Sequence, residues 1–249
     1  MQKKFTLNKK LNYILGVILF IALWQLISKL IGSYIFPGPF LTIKETIILL
    51  TKAYTYKCIY YSLIRLCIGF IISLISGFII GTLAGNFEFI EDILTPFITA
   101  IKSIPTASLV FLFIVLSGAR NAAIYIVVLV SFPIIYEGVC AGIRNIDENI
   151  ISASKIDGAT FFSQNIYIKL PLALPYILVA ISSSFALSFK IEIMAEVITG
   201  TTFAGLGSAI ALSRKIEPAN LLPVFAYSLI AIVIALLLTF ISKRMTIRK

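Results

Sequence analysis

The chain has 249 residues, 59% of them hydrophobic and only 13% charged, with a mean hydropathy of +1.03. A soluble domain of this size needs more charge to cover its surface, so the composition points to a polytopic membrane protein embedded in a lipid bilayer. The net charge of +10 does not indicate a nucleic-acid partner, because Lys and Arg gather at the ends of apolar runs and no basic stripe alternates with aromatics.

In chain order, the first apolar run is Leu11–Ile31, long enough to span a membrane. It exceeds a signal-peptide core in length and lacks a small-x-small exit, so no cleaved signal is expected. Lys3, Lys4, Lys9 and Lys10 precede it, which predicts a cytoplasmic N-terminus. A loop opening with Phe36-Pro37-Gly38-Pro39 leads to residues 42–53, a short amphipathic stretch that reads as an interfacial helix. Further spans are predicted at Tyr60–Ala84, Leu94–Leu116, Ala122–Gly142, Pro175–Ile198 and Leu221–Ile241, with the polar break Asn86–Asp92 in the cytoplasm. Lys243, Arg244, Arg248 and Lys249 close the chain, and an even count of six spans returns this basic end to the cytoplasmic side. In the second span, Gly77, Gly81 and Gly85 allow close helix approach, equally well within the chain or to a second copy.

The sequence contains no histidine, which removes most metal sites and most general acid–base chemistry. Cys58, Cys67 and Cys140 lack metal-ligand spacing and read as packing residues. No glycine is followed by lysine, so a phosphate-cradling nucleotide loop is absent, and no Gly-x-Ser-x-Gly or Cys/His nucleophile arrangement occurs. The chain is therefore read as a non-enzyme, with no catalytic residue, cofactor or metal. Arg65, Lys102, Glu137, Lys190, Glu192 and Glu196 lie in or near the spans, where a charge in hydrocarbon costs about 2.5–3.5 kcal/mol and so faces protein or water. Glu192 and Glu196 share a helix face, whereas Lys190 points elsewhere. Two readings stay open for these charges: they line or gate a polar pathway, or each ties its helix to a neighbour.

The segment between the fourth and fifth spans is patterned. Residues 146–157 fit a short helix and Gly158 a sharp turn. A second helical stretch carries Phe161, Phe162, Ile166 and Leu170, and Pro171 and Pro175 bracket the start of the fifth span. Such an element either inserts apolar side chains into a groove of another protein or lies on the bilayer surface.

Ala153, Gly158, Ile168, Leu170 and Pro171 fall at the spacing Glu-Ala-Ala, three residues, Gly, nine residues, Ile-x-Leu-Pro, with Ser152 in place of the Glu and Ser154 in place of the second Ala. This resembles the ATPase-docking motif of binding-protein-dependent ABC transporter permeases. Residues 100–105 (AIKSIP) resemble the start of a pore helix in that family, and 141–147 (AGIRNID) its lead into the docking loop. Ser188-Phe189-Lys190, Ala195-Glu196-Val197 and Gly205-Leu206-Gly207 resemble the nitrate/sulfonate/taurine-type branch. The likeness covers roughly residues 60–243.

The resemblance implies an all-α, six-span integral membrane fold. A five-helix core at 58–249 would follow an N-terminal helix and external interfacial segment at 1–57. The docking loop would occupy 144–171, with Ala153, Asp157, Gly158, Ala159, Ile168, Leu170 and Pro171 at the ATPase contact. Lys102, Pro105, Lys190, Glu192 and Glu196 become candidates for the pathway or its gate. Implied partners are an ATP-binding cassette ATPase subunit, an extracellular solute-binding protein and a second permease subunit in a homodimer. The implied location is the bacterial inner membrane with both termini cytoplasmic, and the implied solute a small anion such as nitrate, sulfonate or taurine. The competing reading is a stand-alone secondary transporter or channel with Glu192 and Glu196 in ion coupling. Such a protein is expected to carry internal inverted repeats, and none is evident in the sequence.

Overall fold

The computed structural model describes residues 9–200 and 203–247. Every regular element among them is helical: α1 Lys9–Ile31, α2 Pro39–Leu50, α3 Ala53–Asn86, α4 Glu88–Ser103, α5 Thr106–Ser117, α6 Ala119–Arg144, α7 Glu148–Ile156, α8 Phe161–Gln164, α9 Leu170–Thr199, α10 Leu206–Ile216 and α11 Leu222–Ile247. A π turn, Asn165–Lys169, joins α8 to α9, so Phe161–Thr199 forms one 39-residue helical rod. Five segments are long and apolar enough to cross a membrane, and the bent pair α4–α5 makes a sixth.

Helix α6 sits at the centre, between α3 and α9, because glycines on both sides remove the side chains that would hold the backbones apart. Gly77, Gly81 and Gly85 share one face of α3. A Cβ at Gly81 would stand 2.8 Å from the Tyr136 carbonyl oxygen, and one at Gly85 2.8 Å from Ile143 Cβ. The Gly-x-x-x-Gly steps therefore serve packing within the chain. On the other side, a Cβ on Gly138 would overlap Ala180, and one on Gly142 would lie 3.0 Å from Ala173 and Tyr176. The Ser131 and Ser188 hydroxyls meet in the α6–α9 seam, and Ser73 of α3 donates to the Val128 carbonyl at 3.1 Å. Leu66, Phe70, Ile135, Val139, Ile177 and Phe189 fill the core between these helices, with the Phe70 and Phe185 rings 4.8 Å apart. The outward residues of α3 are also apolar (Ile68, Ile71, Ile72, Ile75, Ile79), as befits a helix whose surroundings are hydrocarbon.

Helix α1 is peripheral and almost wholly exposed. Trp24 anchors it, donating through Nε1 to the Pro37 carbonyl at 2.9 Å and placing its ring 6.5 Å from that of Phe225 on α11. The expected interfacial helix starts earlier than residue 42, with Pro39 in its first turn, where a missing N–H is harmless. Thr42 and Leu49 are buried, and Thr46 reaches the Ala226 carbonyl of α11 at 3.4 Å. Helix α3 begins at Ala53 and so runs through the boundary drawn at 57/58.

Two span boundaries need correction. The expected single span Leu94–Leu116 is two helices bent by 97°. Pro105 has no N–H to continue α4, and its ring holds Ile104 extended (φ −77°, ψ 130°), which ends one helix and starts the next. The fifth span does not begin at Pro175, because the helix is already running from Phe161. The π turn precedes Pro171, and there the Leu170 N–H reaches back five residues to the Asn165 carbonyl.

Candidate functional site: a docking element, a buried ion knot and a broken helix

The loop between α6 and α9 is a compact helical element. Asp147 caps α7 by accepting from the Asn149 N–H at 2.8 Å, and Thr160 caps α8 from the Ser163 N–H at 3.3 Å. At the end of α7 the Ala159 N–H donates to the Ser154 carbonyl at 2.9 Å and the Gly158 N–H to the Lys155 carbonyl at 3.0 Å. This is a Schellman closure, and it requires the left-handed backbone of Gly158, φ +81°. Nothing lies within 4 Å of where a Gly158 side chain would begin.

Ser154, which departs from the family pattern, is buried and joins the two halves of the element. Gln164 donates to its hydroxyl at 2.9 Å, while that hydroxyl donates to the Ile151 carbonyl at 2.7 Å. The element is also fastened to the end of α3. Asn86 donates to Asn165 at 2.7 Å and accepts from Lys169 at 2.5 Å, and the rings of Phe87 and Phe161 lie 5.7 Å apart. Ala153, Asp157 and Pro171 are exposed, Ala159 and Ile168 half-buried, and Leu170 packs against the core. The most exposed apolar groups are Ile156 at 88%, Tyr167 at 77% and Phe162 at 75%. Of these three, Ile156 and Tyr167 drew no attention in the sequence. Their signal was present, since large apolar residues in a polar loop that leave the core need another surface to cover them.

The second constellation joins α3 to α9. Glu192 and Glu196 are fully buried, and Arg65 of α3 is 6% exposed. Arg65 donates through Nε to Glu196 Oε1 at 2.9 Å, and its Nη2 meets the same carboxylate. The Glu196 Oε2 atom accepts from Ser62 Oγ and from the Gly207 N–H, at 2.7 and 2.8 Å. Arg65 Nη2 also donates to the Ala204 carbonyl at 2.7 Å, and its guanidinium lies 4.8 Å from the centroid of the Phe203 ring. The backbone 205–207 runs directly over these charges. A Cβ on Gly205 would overlap Arg65 and Glu196, and one on Gly207 would lie 2.6 Å from Glu196 Cβ. This explains the Gly205-Leu206-Gly207 motif. Glu192 Oε1 stands 3.6 Å from Arg65 Nε, and neither Glu192 oxygen has a hydrogen-bond partner among the described residues. Lys190 is exposed on a different face of α9. The sequence placed Arg65 in a span but gave no sign of its partner, 131 positions away.

The third constellation surrounds the α4–α5 break. Pro105 is exposed at the bend. Lys102 Nζ contacts Glu137 Oε1 of α6 at 2.8 Å, with the two side chains 49% and 46% exposed. Thr95, Thr99 and Ser103 continue the exposed stripe down α4 at four-residue spacing.

A helical rod long enough to cross the membrane, continuous with a fastened helical loop, defines a subunit of a polytopic membrane protein. The chain belongs to the family of binding-protein-dependent transport system inner membrane components, whose model matches residues 69–247. It is 27% identical over 222 residues to the "Putative aliphatic sulfonates transport permease protein SsuC" of Bacillus subtilis (strain 168), covering 86% of this chain and 79% of that one. It is 23% identical over 199 residues to the nitrate import permease protein NrtB of Synechococcus elongatus, covering 76% and 71%. Its fold is similar to that of a solved amino acid ABC transporter (TM-score 0.66, 20% identity, 79% and 94% covered). It is similarly close to an inward-facing MetNI methionine ABC transporter (TM-score 0.64, 18% identity, 78% and 94% covered). The family and its relatives are transport permeases, not enzymes.

Proposed function

We propose that the chain is the pathway-forming subunit of an ATP-driven importer, assembled as a homodimer with two ATPase subunits and served by an extracellular solute-binding protein. The observation that carries this reading is the docking element, hydrogen-bonded internally and continuous with the α9 rod, whose exposed Ile156, Phe162 and Tyr167 suit a groove on the ATPase. Ala153, Asp157, Gly158, Ala159, Ile168, Leu170 and Pro171 set the shape of that contact. Closure of the ATPase pair pushes the element, and the rod transmits the movement as alternating access by rigid-body motion. Both termini, whose residues 1–8 and 248–249 lie outside the described residues, are assigned to the cytoplasm with the element on the basic residues that flank α1 and α11.

The pathway runs along the open face of α4, α6 and α9. Polar groups exposed at membrane depth face water, and the exposed polar residues of these helices include Thr95, Thr99, Lys102 and Glu137, with Ser183 and Lys190 on α9, where Lys190 lines a groove against α10 and α11. Lys102 and Pro105 belong to its gate. Glu192 and Glu196 hold its wall, because their burial against Arg65 suits a tie between helices rather than a conducting surface. The names of the sulfonate and nitrate relatives favour a small anionic or acid-bearing solute.

The test is reconstitution. The purified chain alone hydrolyses no ATP. Together with its ATPase and binding protein in liposomes it supports uptake that stops without ATP. ATP hydrolysis by the chain itself, or uptake without the ATPase, contradicts the proposal and favours the secondary-transporter reading.

A further inference from the structure

A cavity of about 340 Å³ opens at the end of the bundle opposite the docking element, where α3 and α6 begin. Lys57, Tyr61 and Arg65 line it from α3, Arg120 from α6, and Phe203 and Ala204 from the segment after α9. None of these lining residues is acidic. Glu196 offsets Arg65 from inside the bundle. Lys57 and Arg120 are exposed, and neither makes an ion pair or hydrogen bond with a described residue. Arg65 spends Nε and Nη2 on Glu196 and the Ala204 carbonyl, which leaves Nη1 without a partner among the described residues. Unpaired cations gathered in one concave site suit an anionic group, above all one whose oxygens accept from a guanidinium.

The surroundings say where that group comes from. Tyr56, Tyr60 and Tyr61 are exposed on α3 at this level, with the rings of Tyr60 and Tyr61 5.6 Å apart. Exposed tyrosines collect at the headgroup layer of a bilayer. The α3 face that carries Lys57 and Tyr61 continues away from the cavity as Ile68, Ile72, Ile75 and Ile79, all exposed and at helical spacing. Ile68 to Ile79 is about 16 Å of helix, the depth of one leaflet of a ~30 Å hydrocarbon core.

We propose that this cavity holds one anionic phospholipid. Its phosphate accepts from Lys57, Arg120 and Arg65 Nη1, the Tyr61 hydroxyl meets the headgroup, and an acyl chain follows the isoleucine track. Phosphatidylglycerol fits, with a single negative charge and otherwise only hydroxyls. The ammonium of phosphatidylethanolamine meets cations and no acid. A small soluble anion uses the cations but leaves the track uncovered. The bound lipid bridges α3, α6 and the 203–204 segment that covers the Arg65–Glu196 pair. The site is independent of which solute the protein carries.

Native mass spectrometry tests the site. The full chain is delipidated in detergent and titrated with phosphatidylglycerol or phosphatidylethanolamine of the same acyl chains. A single phosphatidylglycerol binds tightly, and phosphatidylethanolamine does not displace it. Lys57→Gln and Arg120→Gln each weaken that adduct about 5-fold, the weight of one cation against an anionic headgroup. Both side chains are exposed and unpaired, so the lipid-free variants keep the parent's melting midpoint. Lys243→Gln, which removes a cation at the opposite end of the bundle, leaves the adduct unchanged. Inorganic phosphate and glycerol phosphate in excess do not displace the lipid. The absence of a tight adduct, equal retention of phosphatidylethanolamine, or an adduct insensitive to Lys57→Gln and Arg120→Gln would overturn the site. So would equal weakening by Lys243→Gln, which reports general charge attraction, or displacement by inorganic phosphate, which makes the cavity a site for soluble anions.

Discussion

Replacing Arg65 by leucine removes the only cation in contact with two fully buried carboxylates among the described residues. Glu196 keeps Ser62 and the Gly207 N–H but loses its counter-charge, and Glu192 keeps no partner. Breaking a buried pair from one side costs about 3–5 kcal/mol. In a chain of this size that lowers the melting midpoint by on the order of 10 °C. Removing a carboxylate acts differently, because the site holds one more acid than base. Glu192→Gln deletes no hydrogen bond seen among the described residues and leaves the Arg65–Glu196 pair in place. Its effect is below about 1 kcal/mol. The triple variant with Arg65→Leu, Glu192→Gln and Glu196→Gln recovers most of the lost stability. Thermal unfolding of the purified chains in detergent, with size-exclusion profiles, measures all three. An Arg65→Leu protein that melts with its parent, or a Glu192→Gln protein as damaged as Arg65→Leu, refutes the reasoning. A stable Glu192→Gln protein that has lost uptake would return Glu192 to the pathway.

Other outcomes follow from the packing and the docking element. Gly81→Leu forces α3 away from the Tyr136 carbonyl oxygen, which a Cβ would approach to 2.8 Å, so folded protein in the membrane should fall sharply on fluorescence-detected chromatography. Ser154→Ala leaves the Gln164 amide only the Ile151 carbonyl at 3.4 Å, a loss of about 0.5–1.5 kcal/mol inside the docking element that weakens ATPase co-purification and leaves the melting midpoint of the membrane core intact. Single cysteines at Lys57 and Arg120 should label with membrane-impermeant maleimide from outside, and one at Lys155 only after permeabilisation; the reverse pattern would invert the topology.

Much of this architecture was legible because hydrocarbon imposes a simple length rule on helices, so five of the six spans could be placed from apolar runs alone. Gly158 was legible because its spacing from Leu170-Pro171 matches a family motif and a left-handed turn admits few residues. The apolar run reads as one span straight through Pro105, because a proline inside such a run permits a break without fixing one and a sequence carries no angle; the structure bends there by 97°. The partners of Arg65 stayed hidden because a charge in a span shows that it needs a partner, not which one. Gly77, Gly81 and Gly85 likewise showed that a helix comes close without naming α6. Ser154 looked like a defect of the motif until Gln164 was seen to donate to it.

The central claim is that the element around Gly158 couples this subunit to an ATPase, and Gly158→Val tests it most directly. Open space surrounds the position, so the substitution acts through the backbone, whose φ of +81° costs a β-branched residue roughly 1–2 kcal/mol. The spans do not depend on it. In one strain, membrane abundance, ATPase co-purification and solute uptake are measured together. Normal abundance with weakened ATPase association and lost uptake is the predicted result; full uptake with unchanged co-purification would contradict it.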